Sequence, residues 1–194
     1  GMVIDYDTSL FPKHCQIPID YQIYKDKKFI EFYKKFIKKI VNHDNLNCLH
    51  QINYFGRYNP RLNTETDGLV NWDLNSYDLY NFINAFDEPY KGASTYLDNG
   101  NFGKLYLKKV HLHGGDSSNH PFMSGIVSRH DKDWLTVSTK SKHMILIEEV
   151  LDKKGNNIIK EIKEGDRFYT PIEELEKSKK IRTKFGSKGL KKQL

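Results

Sequence analysis

The sequence changes its pattern at Gly92, and the stretch that decides the fold follows there: Ala93-Ser94-Thr95-Tyr96-Leu97-Asp98-Asn99-Gly100-Asn101-Phe102-Gly103-Lys104-Leu105-Tyr106-Leu107. Apolar and polar residues alternate at both ends of this stretch, which is typical of β-strands. Asn99-Gly100 between the two ends is a strong hairpin signal. The alternation resumes one residue out of phase at Val110 and Leu112, so we predict a β-bulge at Lys108-Lys109.

Further short apolar runs continue this pattern towards the carboxyl end. They predict strands over 125–128, 135–138, 144–150 and 157–162, with turns at 130–133, 139–142 and 152–156. Six short strands with tight turns favour a small, closed or nearly closed antiparallel barrel. Thr170-Pro171-Ile172-Glu173 then has the pattern of a capping box with proline at the first helical position, which predicts a terminal helix from about Pro171 to Arg182.

Two helices are expected before the barrel. Residues 29–41 place aromatic and aliphatic side chains three and four apart, with lysines opposite, so we predict a helix capped by Asp26 whose apolar face is buried. A short edge strand, Gln16-Ile17-Pro18-Ile19, precedes it. The second helix follows Asn75 as its cap, cannot pass Pro89, and buries Leu79, Phe82, Ile83 and Phe86.

Length and composition exclude several classes of protein. The 194 residues are 38% hydrophobic, which is enough for a core, and the longest apolar run is four residues, Met144 to Ile147. A membrane span needs about 20 apolar residues, so we expect no membrane contact of that kind. Cys15 and Cys48 are too few for a disulfide framework or a thiolate zinc site, which favours a reduced, cytoplasmic protein.

The net charge of +6 is concentrated at the carboxyl end. Residues 177–194 hold eight lysines and arginines and no acid, which leaves 23 cations against 25 acids, or −2, for residues 1–176. Nucleic-acid-binding domains carry their charge on a folded face, so we interpret this run as a solvated tail.

One group of residues has the composition of a metal site. His111 and His113 would share a strand face, and Asp116 or His120 could complete the coordination. The third and fourth ligands would come from a Gly-Gly-Asp-Ser-Ser-Asn loop of unknown path, so we favour a polar hairpin end and predict no metal. Motifs for phosphate cradles and serine nucleophiles are also absent from the sequence.

Three consecutive segments resemble one known family. They are Gly68-Leu69-Val70-Asn71-Trp72, the run Phe82-Ile83-Asn84-Ala85-Phe86, and Pro89-Tyr90-Lys91-Gly92-Ala93. Together they are similar to the methionyl-tRNA and amino-sugar formyltransferases, in which Gly-x-Ile-x-Trp leads into a helix ending Ile-Arg-Ala-Phe and then Pro-Tyr-Pro-Gly-Ala. This chain has Asn84 for the arginine and Lys91 for the second proline. The resemblance is strongest over 57–97 and covers most of 5–185.

The resemblance extends upstream to Asp7-Thr8-Ser9, which matches the family's Asp-Thr-Gly segment except for Ser9. It implies that Asp7 is the catalytic carboxylate and that 10-formyltetrahydrofolate is the formyl donor. The family's catalytic Asn and His have no counterpart in this chain. Formyl transfer needs both a base and a partner for the carbonyl oxygen, so we expect this chain alone to be inactive.

The acceptor implied by the resemblance is a nucleotide-linked amino sugar or methionyl-tRNA. The lead-in Tyr58-Asn59-Pro60-Arg61 favours the amino sugar, because it resembles the corresponding segment of sugar-modifying members. Arg57, Arg61 and Trp72 are the predicted acceptor-binding residues, since guanidinium groups suit phosphate recognition. Trp72 could equally be an anchor of the core.

The expected architecture is α+β. Residues 1–45 would be a helix-containing remnant of the catalytic domain, 46–66 a connector, 67–176 the C-terminal-like domain with its OB-like β-barrel, and 177–194 the basic end of the terminal helix and tail. Two alternatives remain open. One is a non-catalytic module that binds RNA or protein, since OB-like barrels often accept oligonucleotides. The other is a homodimer formed through the barrel or exposed strands.

Overall fold

A computed structural model describes residues 2–44, 46, 48–50, 62–116, 118–186 and 189–193, with the backbone alone for residues 2, 183–186 and 189–193. The chain divides into two compact units, Gly1–Pro60 and Arg61–Leu194. The division falls inside the predicted connector. No helix in the described parts of either unit combines the length and apolarity of a membrane span.

Unit 1 is built around one long helix. Strand β1 (Met2–Val3) pairs antiparallel with β2 (Leu49–His50), and helix α1 runs between them over Pro18–Val41. The predicted edge strand at residues 16–19 and the predicted cap at Asp26 are therefore wrong. Pro18 is suited to the first turn of a helix, and the Asp20 carboxylate accepts the Ile17 backbone N–H at 3.3 Å.

The apolar face of α1 also differs from the prediction. Among the described residues, α1 buries none of its side chains, and Phe29 and Ile30 are 61% and 54% exposed. Cys15, just before the helix, is the buried residue of the described part of unit 1. The apolar residues of α1 do recur at helical spacing, but in the described structure they do not form a core.

Unit 2 opens with two short helices, α2 (Thr64–Asp67) and α3 (Ser76–Ala85). Asn75 caps α3 as predicted, because its side-chain oxygen accepts the Asp78 backbone N–H at 3.0 Å. Leu79 and Ile83 are fully buried. The predicted helix is confirmed, and of its predicted inward face Leu79, Ile83 and Phe86 are buried while Phe82 is only partly buried.

A six-stranded antiparallel sheet follows, and it curls into a barrel. Its spatial order is β5-β6-β7-β4-β3-β8. Strands that are adjacent in the sheet, such as β7 and β4 or β3 and β8, are therefore not always consecutive in the chain. The strands are β3 (Ala93–Leu97), β4 (Leu105–Gly114), β5 (Val127–His130), β6 (Leu135–Val137), β7 (His143–Leu151) and β8 (Phe168–Tyr169). This confirms the α+β class with an OB-like barrel.

The two outer strands of the sheet meet and close it. Ile126 forms an antiparallel bridge with Arg167. The Val127 N–H donates to Asp166 O at 2.8 Å, and the Phe168 N–H donates to Gly125 O at 2.8 Å. We call these contacts between residues 125–127 and 165–168 the seam.

Two details of the strands differ from the prediction. The pairing of β4 with β7 keeps one register from Tyr106 to Gly114, so there is no inserted residue at Lys108-Lys109. The change of phase comes instead from Lys109, whose φ of +51° turns its side chain outward. The predicted strand over 157–162 is a 3₁₀ helix, Ile159–Glu161, whose flanking isoleucines Ile158 and Ile162 are buried in the barrel core.

The terminal helix α4 covers Ile172–Lys180 and ends two residues before the predicted limit. The predicted capping box is wrong, since Pro171 occupies the cap and no side chain bonds there. The Thr170 hydroxyl donates instead to Val70 O at 2.6 Å and ties the start of α4 to the barrel. Strands β9 (Thr183–Gly186) and β10 (Gly189–Gln193) then pair antiparallel, in the region predicted to be a solvated tail.

Candidate functional site

The segment that carries the first motif lies beside β3. The Val70 N–H donates to Ser94 O at 2.9 Å, and the Ser94 N–H donates to Gly68 O at 2.7 Å. A Cβ at Gly68 would lie 2.5 Å from Thr64 O, so only glycine fits there without a shift of the backbone. The motif therefore joins α2 to the barrel.

Trp72 lies in the barrel core and is 7% exposed. Its ring stacks on Phe168 with centroids 5.7 Å apart, and its Nε1–H donates to Thr95 Oγ1 at 2.9 Å. The Ser124 hydroxyl donates to the Trp72 carbonyl. These contacts support the interpretation of Trp72 as a core anchor, while its contact with an acceptor stays a prediction.

The turn between α3 and β3 is held by a buried carboxylate. Asp87 is 1% exposed and accepts the Lys109 N–H at 2.8 Å and the Glu88 N–H at 2.7 Å. Lys108, also buried, places its Nζ 3.9 Å from Asp87 Oδ1 and bonds to Glu88. A buried carboxylate needs such partners to offset its loss of water, so this cluster fixes the turn against β4.

Gly92 closes the same turn. Its φ is +109°, which disfavours any residue with a side chain, and a Cβ would lie 2.7 Å from Leu107 O. The Gly92 N–H donates to Phe86 O at 2.9 Å. The glycine of the third motif is thus a requirement of the backbone, where the chain passes from α3 into the barrel.

The two departures from the family pattern have different surroundings. Lys91 lies 5.1 Å from the centre of the Tyr106 ring and 3.4 Å from Glu65 Oε1. The Tyr106 hydroxyl donates to Glu65 Oε2 at 3.3 Å. Asn84 is 4% exposed, and its Nδ2 has no hydrogen-bond partner in the described structure.

A second phenol–carboxylate contact lies on the neighbouring strand. The Tyr96 hydroxyl donates to the Glu174 carboxylate, with its oxygens at 2.7 and 2.8 Å, and links β3 to α4. Burial, followed by the hydrogen bond and charge of Glu174, raises the pKa of Tyr96 well above its usual value. Burial and the nearby Glu65 raise the pKa of Tyr106 in the same direction.

Sequence reasoning missed this set of residues, Lys91, Tyr96, Tyr106, Glu65 and Glu174. Tyr96 and Glu174 are 78 positions apart, and no local pattern joins them. The one signal in the sequence that pointed to this set of residues was Lys91, because it replaces a proline in an otherwise matching motif.

Asp7 lies in unit 1 and is exposed. Its Oδ1 accepts the Thr8 N–H at 2.8 Å. With Ser9 it lines a cavity of about 220 Å³, whose other walls are aromatic rings and lysines: Phe11, Tyr24, Lys25, Lys28, Phe29 and Phe32. A carboxylate beside aromatic rings and ammonium groups could accept a proton from a ligand amine.

The remaining predicted site residues are less informative. Arg57 and Arg61 lie outside the described residues. His111 lies with its Nε2 3.7 Å from Glu148 Oε1, and the described residues contain no group of three or more His, Cys, Asp or Glu arranged to hold a metal. Of the predicted catalytic and acceptor-binding residues, the structure describes Asp7 in unit 1 and Trp72 in unit 2.

The sequence of residues 63–166 matches the family model described as formyl transferase, C-terminal domain. The match begins next to α2 and ends at the seam, so it covers the motif segments and nearly the whole barrel. It extends over more than half of the 194 residues. This chain belongs to the formyltransferase family, and the barrel of unit 2 is its C-terminal domain.

Proposed function

We propose that this chain takes part in formyl transfer from 10-formyltetrahydrofolate to the amine of a nucleotide-linked amino sugar. The family match over residues 63–166 carries the proposal. It is supported by the structural fit of the motifs, since Gly68, Trp72 and Gly92 each occupy a position that the barrel requires.

Asp7 is the proposed catalytic carboxylate. In the reaction the amine nitrogen forms a bond to the formyl carbon, and the bond from that carbon to N10 of the donor breaks. The amine loses one proton and N10 takes up one proton. Asp7 is suited to accept that proton because it is exposed and lines a cavity. The carbonyl oxygen needs separate donors, which the resemblance assigns to an Asn and a His without counterpart here.

The acceptor is proposed to be held by Arg57 and Arg61, whose guanidinium groups can bind the diphosphate in a bidentate manner. We propose that Trp72 contributes to acceptor binding through the packing of the core, because its ring stacks on Phe168 and its indole N–H is already bonded to Thr95.

Fragment complementation tests this function. The intact chain is mixed with a formyltransferase fragment that carries the family's Asn and His and ends before the Asp segment, together with 10-formyltetrahydrofolate and a nucleotide-linked amino sugar. We expect the formylated sugar by mass spectrometry with both polypeptides and no product with this chain alone. Asp7→Asn should lower the rate at least about 100-fold, the usual contribution of a general base.

Asp26→Asn is the matched control, since Asp26 is an exposed acid of α1 that does not line the cavity. Equal rates for the two variants would contradict the role of Asp7. Formylation of methionyl-tRNA in preference to the sugar would overturn the proposed acceptor, and absence of product with both acceptors would overturn the function.

RNA binding is a second candidate function, favoured by the lysines of the last turn of α4, Lys177, Lys179 and Lys180. Labelled tRNA is titrated against the intact chain and against a version that ends at Glu176. RNA binding predicts a salt-dependent affinity that the shorter version loses. Equal affinities, or none, would exclude it.

A further inference from the structure

Helix α1 carries a row of exposed apolar side chains along one face. They recur three, four and seven positions apart, which places them on one side of the helix. Their exposed fractions range from 39% for Ile37 to 68% for Val41. We call this row the α1 stripe, and it consists of Ile30, Tyr33, Ile37, Ile40 and Val41. None of these residues lines the cavity beside Asp7, so the α1 stripe is a separate feature of unit 1.

Aromatic rings widen this apolar face. The Phe29 ring stacks on the Tyr33 ring with centroids 6.2 Å apart, and Phe32 stacks on Phe36 at 6.4 Å. In the described structure no side chain of α1 is buried. Contiguous exposed apolar surface of this kind is typical of sites that contact another molecule or a membrane.

The opposite face of α1 is positively charged. Residues 27–41 hold six lysines and one acid, Glu31, which is a net charge of +5. Lys28 pairs with Glu31 at 2.8 Å, and Lys39 pairs with Asp5 at 2.8 Å. In the described parts of the chain the other four form no ion pair, namely Lys27, Lys34, Lys35 and Lys38. A molecule that covers the α1 stripe therefore meets lysines on both sides of it.

This charge decides which occupant fits the α1 stripe. Two copies joined through the stripe would bring their lysines together, and like charges at an interface oppose association. An anionic lipid surface complements both faces, because its acyl layer accepts the apolar side chains and its headgroups attract the ammonium groups. The long lysine side chains beside the stripe can extend along it to reach those headgroups.

We propose that α1 lies in the surface of an anionic lipid bilayer, with the α1 stripe in the apolar layer and the lysines among the headgroups. A helix with one apolar and one cationic face lies parallel to the membrane plane and does not cross the bilayer. Binding in this orientation supplies the apolar burial that α1 lacks in the described structure.

Co-sedimentation of the intact chain with lipid vesicles tests this proposal. The vesicles contain equal amounts of phosphatidylcholine and phosphatidylglycerol, or phosphatidylcholine alone. We expect saturable binding to the anionic vesicles, weaker at higher salt and at least about tenfold weaker on the neutral ones. Hydrogen exchange of the amides of residues 30–41 should slow when anionic vesicles are added. Slowed exchange in residues 177–193 alone would assign the binding to the basic carboxyl end and overturn the proposal, as would equal or absent binding to the two kinds of vesicle.

Ile37→Ser and Ile40→Ser should each weaken binding to the anionic vesicles about tenfold, because one large apolar side chain no longer enters the bilayer. Serine and isoleucine have similar helix propensities, so a loss of helix does not account for the change. Ile172→Ser is the matched control, since Ile172 is 71% exposed on α4, and it should change binding by no more than about twofold. A loss as large in Ile172→Ser would show general apolar adsorption and overturn the site.

Two further outcomes would replace the lipid with another occupant. Self-association in the absence of vesicles that is lost in Ile37→Ser would assign the α1 stripe to a second copy of the chain. Release of the chain from vesicles by the formyltransferase fragment used for complementation would assign the stripe to that polypeptide. Either result would overturn the proposal.

Discussion

Trp72 shows how one side chain of the first motif serves the fold. It contacts β8 through Phe168 and β3 through Thr95, and its own carbonyl accepts the Ser124 hydroxyl. Three segments far apart in the chain are therefore connected at one position. The tryptophan of the motif is explained by packing and one hydrogen bond before any substrate is considered.

Trp72→Phe should destabilise the protein by about 1–3 kcal/mol, since it removes a buried hydrogen bond and leaves part of the indole volume empty. Urea unfolding measures the loss. Trp134→Phe is the control, because Trp134 is only partly buried and packs under Arg129 at 5.1 Å, a contact of about 1 kcal/mol or less. Similar losses for the two variants would show that Trp72 is not the anchor.

Gly92→Ala should cost about 2 kcal/mol or more, because the residue has a φ of +109° and its Cβ would meet Leu107 O. Gly103→Ala is the matched change: its φ is also positive, at +67°, but the space around it is open. That variant should lose about 1 kcal/mol. Thermal unfolding compares the pair, and equal losses would show that backbone strain alone, without the close approach, sets the cost.

At the scale of elements, α4 is attached to the barrel by two hydrogen bonds, one just before the helix and one within it. Thr170 bonds to Val70 O just before the helix, and Glu174 receives the Tyr96 hydroxyl one turn later. None of the residues within α4 is buried. The position of the helix therefore depends on polar contacts more than on apolar packing.

Tyr96→Phe should remove about 1–2 kcal/mol of stability and expose α4 first, because a hydrogen bond to a carboxylate is lost. Hydrogen exchange of the α4 amides is the measurement, and it should accelerate more than exchange in β4 and β7. Tyr169→Phe is the control, since Tyr169 is 41% exposed, and its effect should stay within about 0.5 kcal/mol. Unchanged α4 exchange in Tyr96→Phe would contradict the proposed attachment.

The turn after β7 gives a prediction about acid. The Asn156 side chain and backbone, with further backbone N–H groups, hold the pKa of Asp152 below its usual value of 3.8. Because the folded pKa is lowered, the stability from Asp152 is present above the unfolded value and is lost as the pH falls through the folded value.

Asp152→Ala should therefore lower the free energy of unfolding by a constant amount between pH 7 and 5, and the difference from the natural sequence should shrink below about pH 4. Urea unfolding at a series of pH values measures it. Lys153→Ala in the same turn is the control and should give no such dependence, because it leaves the Asp152 carboxylate and its hydrogen bonds in place. A difference that persists in acid would disprove the assignment.

The elements that the sequence predicts well are those decided by neighbours in the chain. Asn75 caps α3 through a residue three positions away, and the hairpin of β3 and β4 has its turn glycine between them. The contacts between phenols and carboxylates in unit 2 join residues dozens of positions apart, as Tyr96 and Glu174 do. Ile158, Ile159 and Ile162 show another limit, since a short apolar run fits a buried strand and a buried turn of helix equally well.

The whole molecule consists of two units with very different interiors. The barrel of unit 2 encloses a continuous core of twenty buried apolar side chains, from Val70 to Phe168. In the described part of unit 1, Cys15 is the one buried residue. We infer that the cooperative stability of this chain resides in unit 2.

A fragment of residues 62–194 should therefore unfold in urea in one cooperative transition with a midpoint close to that of the intact chain. A fragment of residues 1–50 should show gradual, non-cooperative loss of helix, because most helical stability in proteins comes from packing and α1 buries none of its side chains. Circular dichroism measures both. A cooperative transition in the shorter fragment would contradict this division of stability.

The seam between residues 125–127 and 165–168 affects the tendency of the protein to aggregate at high concentration. Free amide and carbonyl groups on an outer strand can template another molecule's backbone and seed fibrils. In the barrel, some of these groups at the two outer strands form hydrogen bonds with each other. Fibril growth from unit 2 would first require the hydrogen bonds of the seam to break. Mutations that weaken the seam should therefore lower the solubility of the protein before they reduce its helix content.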